Sequence, residues 1–427
     1  MSSQEYFALI FKDWRSFIIC SVMVIPFYYF FFRQCICGIL DPFFMVFFYS
    51  YICFVTVVFL SVNGHVETKY IVSYFSTQLA FYFGFILFGK KPRVNLVVGQ
   101  EEFKIYNARI YFYVFSFLFV ISQSYVFAKQ GFPLLHDSRL SYLDSSTDVK
   151  LFNRLKEIVL IPFLVCVFYS IYNESRLIKK MSYMLVLFFI FSILMTGSKS
   201  AFIFFMSVFF VFAQFSLKNS DYRPMNLIIS RTKLFVLLGV FVALLVSVIT
   251  ISEVNPFLLI LYRVFSSGDA FYMSYPGEVI EMLKNSNEWF VNLFSSPLII
   301  FGLLDEQYKT ESIGFILKSF VEGGNVATGP NSRFNIVAYL YLPIAGAIFF
   351  SFILGALVSF CRVWFFSRIK YSVVSMIVYV SIVFNVSILE TDYFNAQSAL
   401  INNLLAFLFV FILYGVNKSI TSKVSHV

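Results

Sequence analysis

About eleven apolar runs follow one another along this chain, each near the roughly 17–25 residues a helix needs to cross a bilayer. Their centres lie in Phe17–Phe32, Phe43–Val62, Tyr70–Phe88, Ile110–Phe127, Ile158–Ile171, Met181–Met195 and Ala201–Leu217. The remainder lie in Leu234–Ile251, Ile336–Phe360, Val373–Leu389 and Leu400–Tyr414. Backbone N–H and C=O groups in hydrocarbon must find partners within the protein, so each run is expected to be a helix. The runs do not alternate polar with apolar residues, which excludes a membrane β-barrel. Composition agrees: 59% of residues are hydrophobic and 13% charged, against about 25% charged in a soluble domain. The expected fold is an all-α polytopic integral membrane protein, one membrane domain over 1–427, with about 11 transmembrane helices (about 10–12). The first run ends at Phe32-Arg33 with no small-residue cleavage site after it. It therefore reads as a permanent span and not as a signal peptide.

Basic residues set the expected orientation. They gather in 89–109 (Lys90, Lys91, Arg93, Lys104, Arg109), 174–180 (Arg176, Lys179, Lys180) and 218–233 (Lys218, Arg223, Arg231, Lys233). They recur in 361–370 (Arg362, Arg368, Lys370) and in the tail (Lys418, Lys423). With eleven spans these segments share one side, taken as the cytoplasm, which puts the C-terminus inside and the N-terminus outside. Lys12 and Arg15 oppose that assignment unless another helix lies near residues 1–16. Two long segments then face outward: a smaller loop, 129–156, and a large one, 252–335, between spans eight and nine. Both exceed the length of simple connectors. The larger contains two amphipathic pieces, Pro256–Phe265 and Ser312–Val321, suited to lying in the interface. The six cysteines avoid both segments, so no exported disulfide framework is expected.

The net charge of +9 does not imply nucleic acid, because membrane topology accounts for most basic residues. Among the cations outside that account, four stand out. Lys199 occupies Thr196-Gly197-Ser198-Lys199-Ser200, a short turn between two apolar runs. A charge there is costly unless it reaches an interface or a watery cavity; the plain alternative is a turn lysine that snorkels to a headgroup. Arg139 follows His136 and Asp137 in the smaller loop. Arg263 precedes Ser266-Ser267-Gly268-Asp269, and Arg333 follows Gly329-Pro330-Asn331-Ser332. The planar guanidinium fork suits phosphate oxygens, although arginines at an interface also serve as membrane anchors.

Several motifs, in this order, resemble the Wzy-type oligosaccharide repeat-unit polymerases of O-antigen and capsule synthesis. They are Asp41-Pro42-Phe43, then Gly131-Phe132-Pro133-Leu134-Leu135 with Arg139, then Thr196-Gly197-Ser198-Lys199-Ser200-Ala201. Arg263 with Gly268-Asp269 comes next, followed by Asn331 to Asn335 and Pro343-Ile344-Ala345-Gly346. Together they span most of the chain; each motif alone is weak, and their order is the stronger signal. Lys199 stands where arginine is frequent in that family, a departure that bears on bidentate phosphate binding.

The resemblance implies a GT-C-like membrane-embedded inverting glycosyltransferase that uses no cofactor. Its substrate would be an undecaprenyl-pyrophosphate-linked oligosaccharide at the outer face of a bacterial cytoplasmic membrane. It also implies a chain-length regulator and a flippase as partners. The growing glycan leaves its pyrophosphate carrier and joins a hydroxyl of a new lipid-linked repeat unit. Cations near the membrane surface would stabilise the departing pyrophosphate, and one carboxylate would take the hydroxyl proton. The residues assigned to pyrophosphate and glycan are Arg139, Lys199, Arg263, Arg333, Asn331, Asn335 and His136. Asp269 is the expected base, against the alternative that it caps the helix at Phe271–Tyr272. No metal is required; Glu390-Thr391-Asp392 offers too few oxygen ligands. Two other functions carry weight. A lipid-linked oligosaccharide flippase would show repeated halves with midplane sites. An O-antigen ligase would use a His in the large loop, where this chain has none.

Overall fold

The computed structural model describes residues 1–92, 106–135, 147–198, 201–250, 256–285, 287–305, 313–323 and 329–424. Every regular element among the described residues is helical. In chain order these are α1 (Ser3–Lys12), α2 (Trp14–Cys35), α3 (Pro42–Val62), α4 (Thr68–Phe85), α5 (Tyr106–Gln130), α6 (Thr147–Asn173) and α7 (Arg176–Met195). Next come α8 (Ala201–Ser216), α9 (Arg223–Thr250), α10 (Pro256–Phe265), α11 (Asp269–Ser274), α12 (Val279–Met282) and α13 (Trp289–Ile300). The last are α14 (Ile313–Glu322), α15 (Phe334–Tyr341), α16 (Ile344–Ser359), α17 (Phe365–Arg368), α18 (Val373–Ser387) and α19 (Tyr393–Val424). Ten helical segments among the described residues are long and apolar enough to cross a membrane. The chain is therefore a polytopic membrane protein.

Residues form two compact units, each assembled from separated stretches. One contains Met1–Pro92, Leu261–Phe365 and Asn385–Ala399; the other contains Arg93–Ile260, Phe366–Phe384 and Leu400–Val427.

In the first unit, local sequence explains several helix starts. Ser2 and Glu5 form a reciprocal capping box at α1. Asp41 accepts from the Phe43 N–H at 3.1 Å while Pro42 takes the first helical position of α3, where a missing N–H costs nothing. The helix α4 forms over the third expected span, but its Ser, Thr, Gln and Lys residues keep it outside the ten by composition. It nevertheless packs along α16 at backbone contact. A Cβ on Gly84 would meet the Phe352 carbonyl oxygen at 2.2 Å, and one on Gly355 would meet that of Phe81 at 2.0 Å. Small residues at such a crossing let helices in lipid approach closely, so α4 shares the depth of a spanning helix. Its Ser73, Thr77 and Gln78 are buried in the unit and not turned to lipid.

Two expectations are corrected here. The ninth span, expected over Ile336–Phe360, is not one helix. It breaks at Leu342-Pro343 into α15 and α16, because proline disfavours the helical region for the residue before it, and Leu342 is extended. The spanning piece then runs on as Ile344–Arg368, through a π-helical turn at Phe360–Trp364. Arg362, expected in a basic loop, is therefore a buried helical residue ion-paired with Asp41 and stacked over Phe43.

In the second unit, α5 and α6 form an antiparallel pair. Arg109 at the start of α5 pairs with Glu174 just past the end of α6 at 2.9 Å. Tyr125, near the end of α5, donates to Asp148 in the first turn of α6 at 3.1 Å. Phe119 and Phe163 stack between them at 4.3 Å. The helix α6 is longer than the expected span and keeps Pro162 inside it, a tolerance common in membrane helices. Lys218, also expected in a basic loop, is buried. Its ammonium donates to the carbonyls of Phe366 and Ile369, capping orphan groups at the end of α17. The described residues of the 252–335 segment include a series of short helices, α10 to α14.

Candidate functional site

The expected site residues divide cleanly. His136, Arg139 and Lys199 lie outside the described residues. Asp269, Arg263, Arg333, Asn331 and Asn335 all lie in the first unit, and four short elements bring three of them together.

Arg333 is the residue at the N-terminal boundary of α15, with an extended ψ of 136°. Its segment is held from two sides. Pro330 lies against Gly314 of α14 so closely that a Cβ on Gly314 would meet the Pro330 carbonyl oxygen at 1.8 Å. The Ser332 carbonyl accepts from the Tyr393 N–H of α19 at 3.0 Å. The Arg333 side chain is 4% exposed. A buried guanidinium must be paired, and this one is. It contacts Glu390 at 3.5 Å and donates to the Ser267 carbonyl at 3.3 Å.

Glu390 ends the turn after α18 and is buried too. Its second oxygen accepts from the Gln78 amide of α4 at 3.4 Å. The same amide nitrogen donates to Ser50 of α3 at 3.0 Å, and Ser50 also bonds the hydroxyls of Tyr28 at 2.8 Å and Tyr82 at 3.0 Å. Asn335 completes the set, donating to Thr77 at 3.0 Å and to Gln78 at 3.1 Å. Asn335 is therefore part of the buried scaffold, whereas Asn331 is exposed.

The turn Ser266–Gly268 leads into α11 and fixes Asp269. Gly268 lies on Thr56 of α3, where an added Cβ would approach Oγ1 to 2.3 Å. The Cys53 thiol donates to the Ser267 carbonyl at 3.2 Å. Asp269 Oδ1 accepts from the Ala270 N–H at 2.9 Å, the local bond expected of an Asp at a helix start. Burial raises the Asp269 pKa to about 6, opposed by the positive charges of Arg333 and Arg263. Arg263, six positions earlier, is exposed. Among the described residues no ion pair joins Asp269 to either arginine. The result is a carboxylate poised near neutral pH, next to one buried and one exposed cation.

Sequence reasoning passed over Glu390, Gln78, Thr77 and Ser50. Their signal was available: polar residues interrupting apolar runs mark intramembrane sites by their cost. Glu390 was weighed only with Asp392 as a divalent-ion holder, and the Arg333 guanidinium now occupies one of its oxygens. No family model matches the chain, and no curated protein and no solved structure matches it.

Proposed function

We propose that this protein polymerises undecaprenyl-pyrophosphate-linked oligosaccharide repeat units into a surface polysaccharide, at the outer face of a bacterial cytoplasmic membrane. One observation carries the reading: Asp269, with its pKa raised to about 6, neighbours the cations Arg263 and Arg333 in a membrane-embedded fold. Glycosyl transfer from a lipid pyrophosphate asks for these groups. A base is most effective when its pKa lies near the working pH. Asp269 takes the proton of the acceptor hydroxyl as that oxygen attacks the sugar carbon. The bond from that carbon to the pyrophosphate oxygen breaks, and the carrier leaves as a pyrophosphate anion. The exposed Arg263 meets that anion, and the buried Arg333 adds positive potential from behind. His136, Arg139 and Lys199 belong to the same proposal as further donors to pyrophosphate or glycan, and Asn331 as a contact to sugar hydroxyls.

The direct test is complementation of a deletion strain. Wild-type protein restores long surface glycan; Asp269→Asn, inserted at the same level, leaves chains one repeat unit long. Long polymer from Asp269→Asn removes the base assignment. Unchanged glycan length in the deletion strain itself removes the function.

A further inference from the structure

Three carboxylates, Glu390, Asp269 and Asp392, feel one buried guanidinium in the first unit, and among the described residues only Glu390 is in contact with it. Arg333 is in contact with Glu390 at 3.5 Å. Its other terminal nitrogen is spent on the Ser267 carbonyl at 3.3 Å, two residues before Asp269. We infer that Glu390 is a positioning residue: by capturing Arg333 it keeps that cation off Asp269 while leaving it close enough to anchor the Ser267–Asp269 turn. This inference rests on the function proposed above.

The arrangement has the features such a device needs. Glu390 is itself fixed, through Gln78 to Ser50 and Asn335. A buried, fully bonded network holds one geometry. The turn carrying Asp269 is clamped independently by Gly268 on Thr56 and by the Cys53 thiol. The turn carrying Asp269 therefore keeps its other anchors if Arg333 is released. A guanidinium released from Glu390 but still bonded to the Ser267 carbonyl, two residues before Asp269, is placed to pair with Asp269, and a direct ion pair would quench it as a base by stabilising its charged form.

The groups facing Asp269 are Arg333 at the start of α15, Arg263 of α10, Cys53 of α3 and Tyr272 of its own helix. Those facing Glu390 are Arg333, Cys53, and the tyrosines Tyr28, Tyr74 and Tyr82 of α2 and α4. Among the described residues, the only fixed positive charge common to both sets is Arg333. This gives the pH profile its diagnostic value.

The test uses the full protein in membranes carrying lipid-linked repeat units, with polymer formation followed against pH. Glu390→Gln keeps the shape and removes the charge. Its acid limb should move down by about one pH unit, the size of a new close ion pair at Asp269, and its maximal rate should fall at least tenfold. Arg333→Gln should move the acid limb up. A merely structural Glu390 would lower the amount of folded protein and leave the acid limb in place. An unmoved acid limb in Glu390→Gln overturns the inference.

Either single variant breaks a buried ion pair by removing one partner, which is destabilising, whereas removing both charges is tolerated. If a single variant does not accumulate, the double variant Glu390→Gln/Arg333→Gln decides. A residue that acts through Arg333 has no further effect once Arg333 is gone, so the double variant should show the acid limb moved up from wild type, the direction set by loss of Arg333. A different profile overturns the inference. Wild-type protein that makes no polymer overturns the proposed function and the inference together; Asp269→Asn at the wild-type rate removes the base assignment and with it the inference. Wild-type polymer with an unmoved Glu390→Gln profile overturns the inference alone.

Discussion

At the scale of single residues, the chemistry turns on how burial treats Asp269. A half-buried carboxyl prefers its neutral form, which lifts its pKa to about 6 against the pull of two arginines. The active form of a base is the ionised one. Activity should therefore be full above that value and fall roughly tenfold per unit below it. Stability runs the other way. The raised folded pKa means that ionised Asp269 opposes folding above about 6, and that this cost is absent below the ordinary carboxylate value. Purified Asp269→Asn should thus melt above wild type at pH 8. The gap should close as the pH falls from about 6 towards the ordinary carboxylate value; an equal melting temperature at pH 8 would count against the burial argument. Arg263 is exposed, and in the proposed reaction it would meet the departing pyrophosphate. Arg263→Ala should lower the polymerisation rate about 30- to 1000-fold, as for loss of one charged donor at a developing anion. Arg263→Lys should recover little, because a point charge does not reproduce the fork. Normal glycan from Arg263→Ala would remove it from the site.

At the scale of elements, the site depends on close backbone approaches. The helices α4 and α16 meet at Gly84 and Gly355, where Cβ atoms would come within 2.2 Å and 2.0 Å of carbonyl oxygens. Gly84→Val has to push the helices apart, since backbone atoms cannot swing aside. Overpacking of this kind costs about 1–3 kcal/mol. It should also displace Gln78, six residues along α4, from Glu390. The expected result is a lower melting temperature together with reduced polymer. Gly415, with nothing within 4 Å of an added Cβ, provides the control, and Gly415→Ala should leave both unchanged. Equal behaviour of the two variants would show that the crossing is not tight.

At the scale of the whole molecule, the question is which side each segment faces. Cysteine substitutions at Asn287 and Asn219, in a background without the six native cysteines, should separate the faces. An impermeant thiol reagent added outside should label the first position and spare the second. Labelling of Asn219 alone reverses the orientation and removes the outward-facing site. Short loops carry the orienting charge, but Lys218 and Arg362 no longer count towards it, since both are buried and bonded within the protein. The glycan phenotype belongs to this scale too. Loss of a polymerase leaves surface chains one repeat long. Loss of a flippase leaves repeat units on the inner leaflet, and loss of a ligase leaves long polymer on its lipid carrier. Long lipid-linked polymer in the deletion strain would favour the ligase.

The apolar runs by themselves determine an all-helical membrane protein, because hydrocarbon leaves an unpaired backbone no other option. The break at Leu342-Pro343 and the helix start at Asp41-Pro42 are equally local, since proline acts on its immediate neighbours. Asp269, Arg263 and Arg333 could be singled out by charge and position in the chain. Their relationship could not. Glu390 and Arg333 are far apart in sequence, as are Gln78 and Glu390, and only packing of α4, α15 and the turn after α18 makes them neighbours. The same limit explains Lys218 and Arg362, which look like loop cations in sequence. Burial decides their roles, and burial is a property of what the rest of the chain places around a residue. A pattern along the chain reports which groups are costly to bury. Only the tertiary structure decides which partners offset that cost, and so which charge remains available for chemistry.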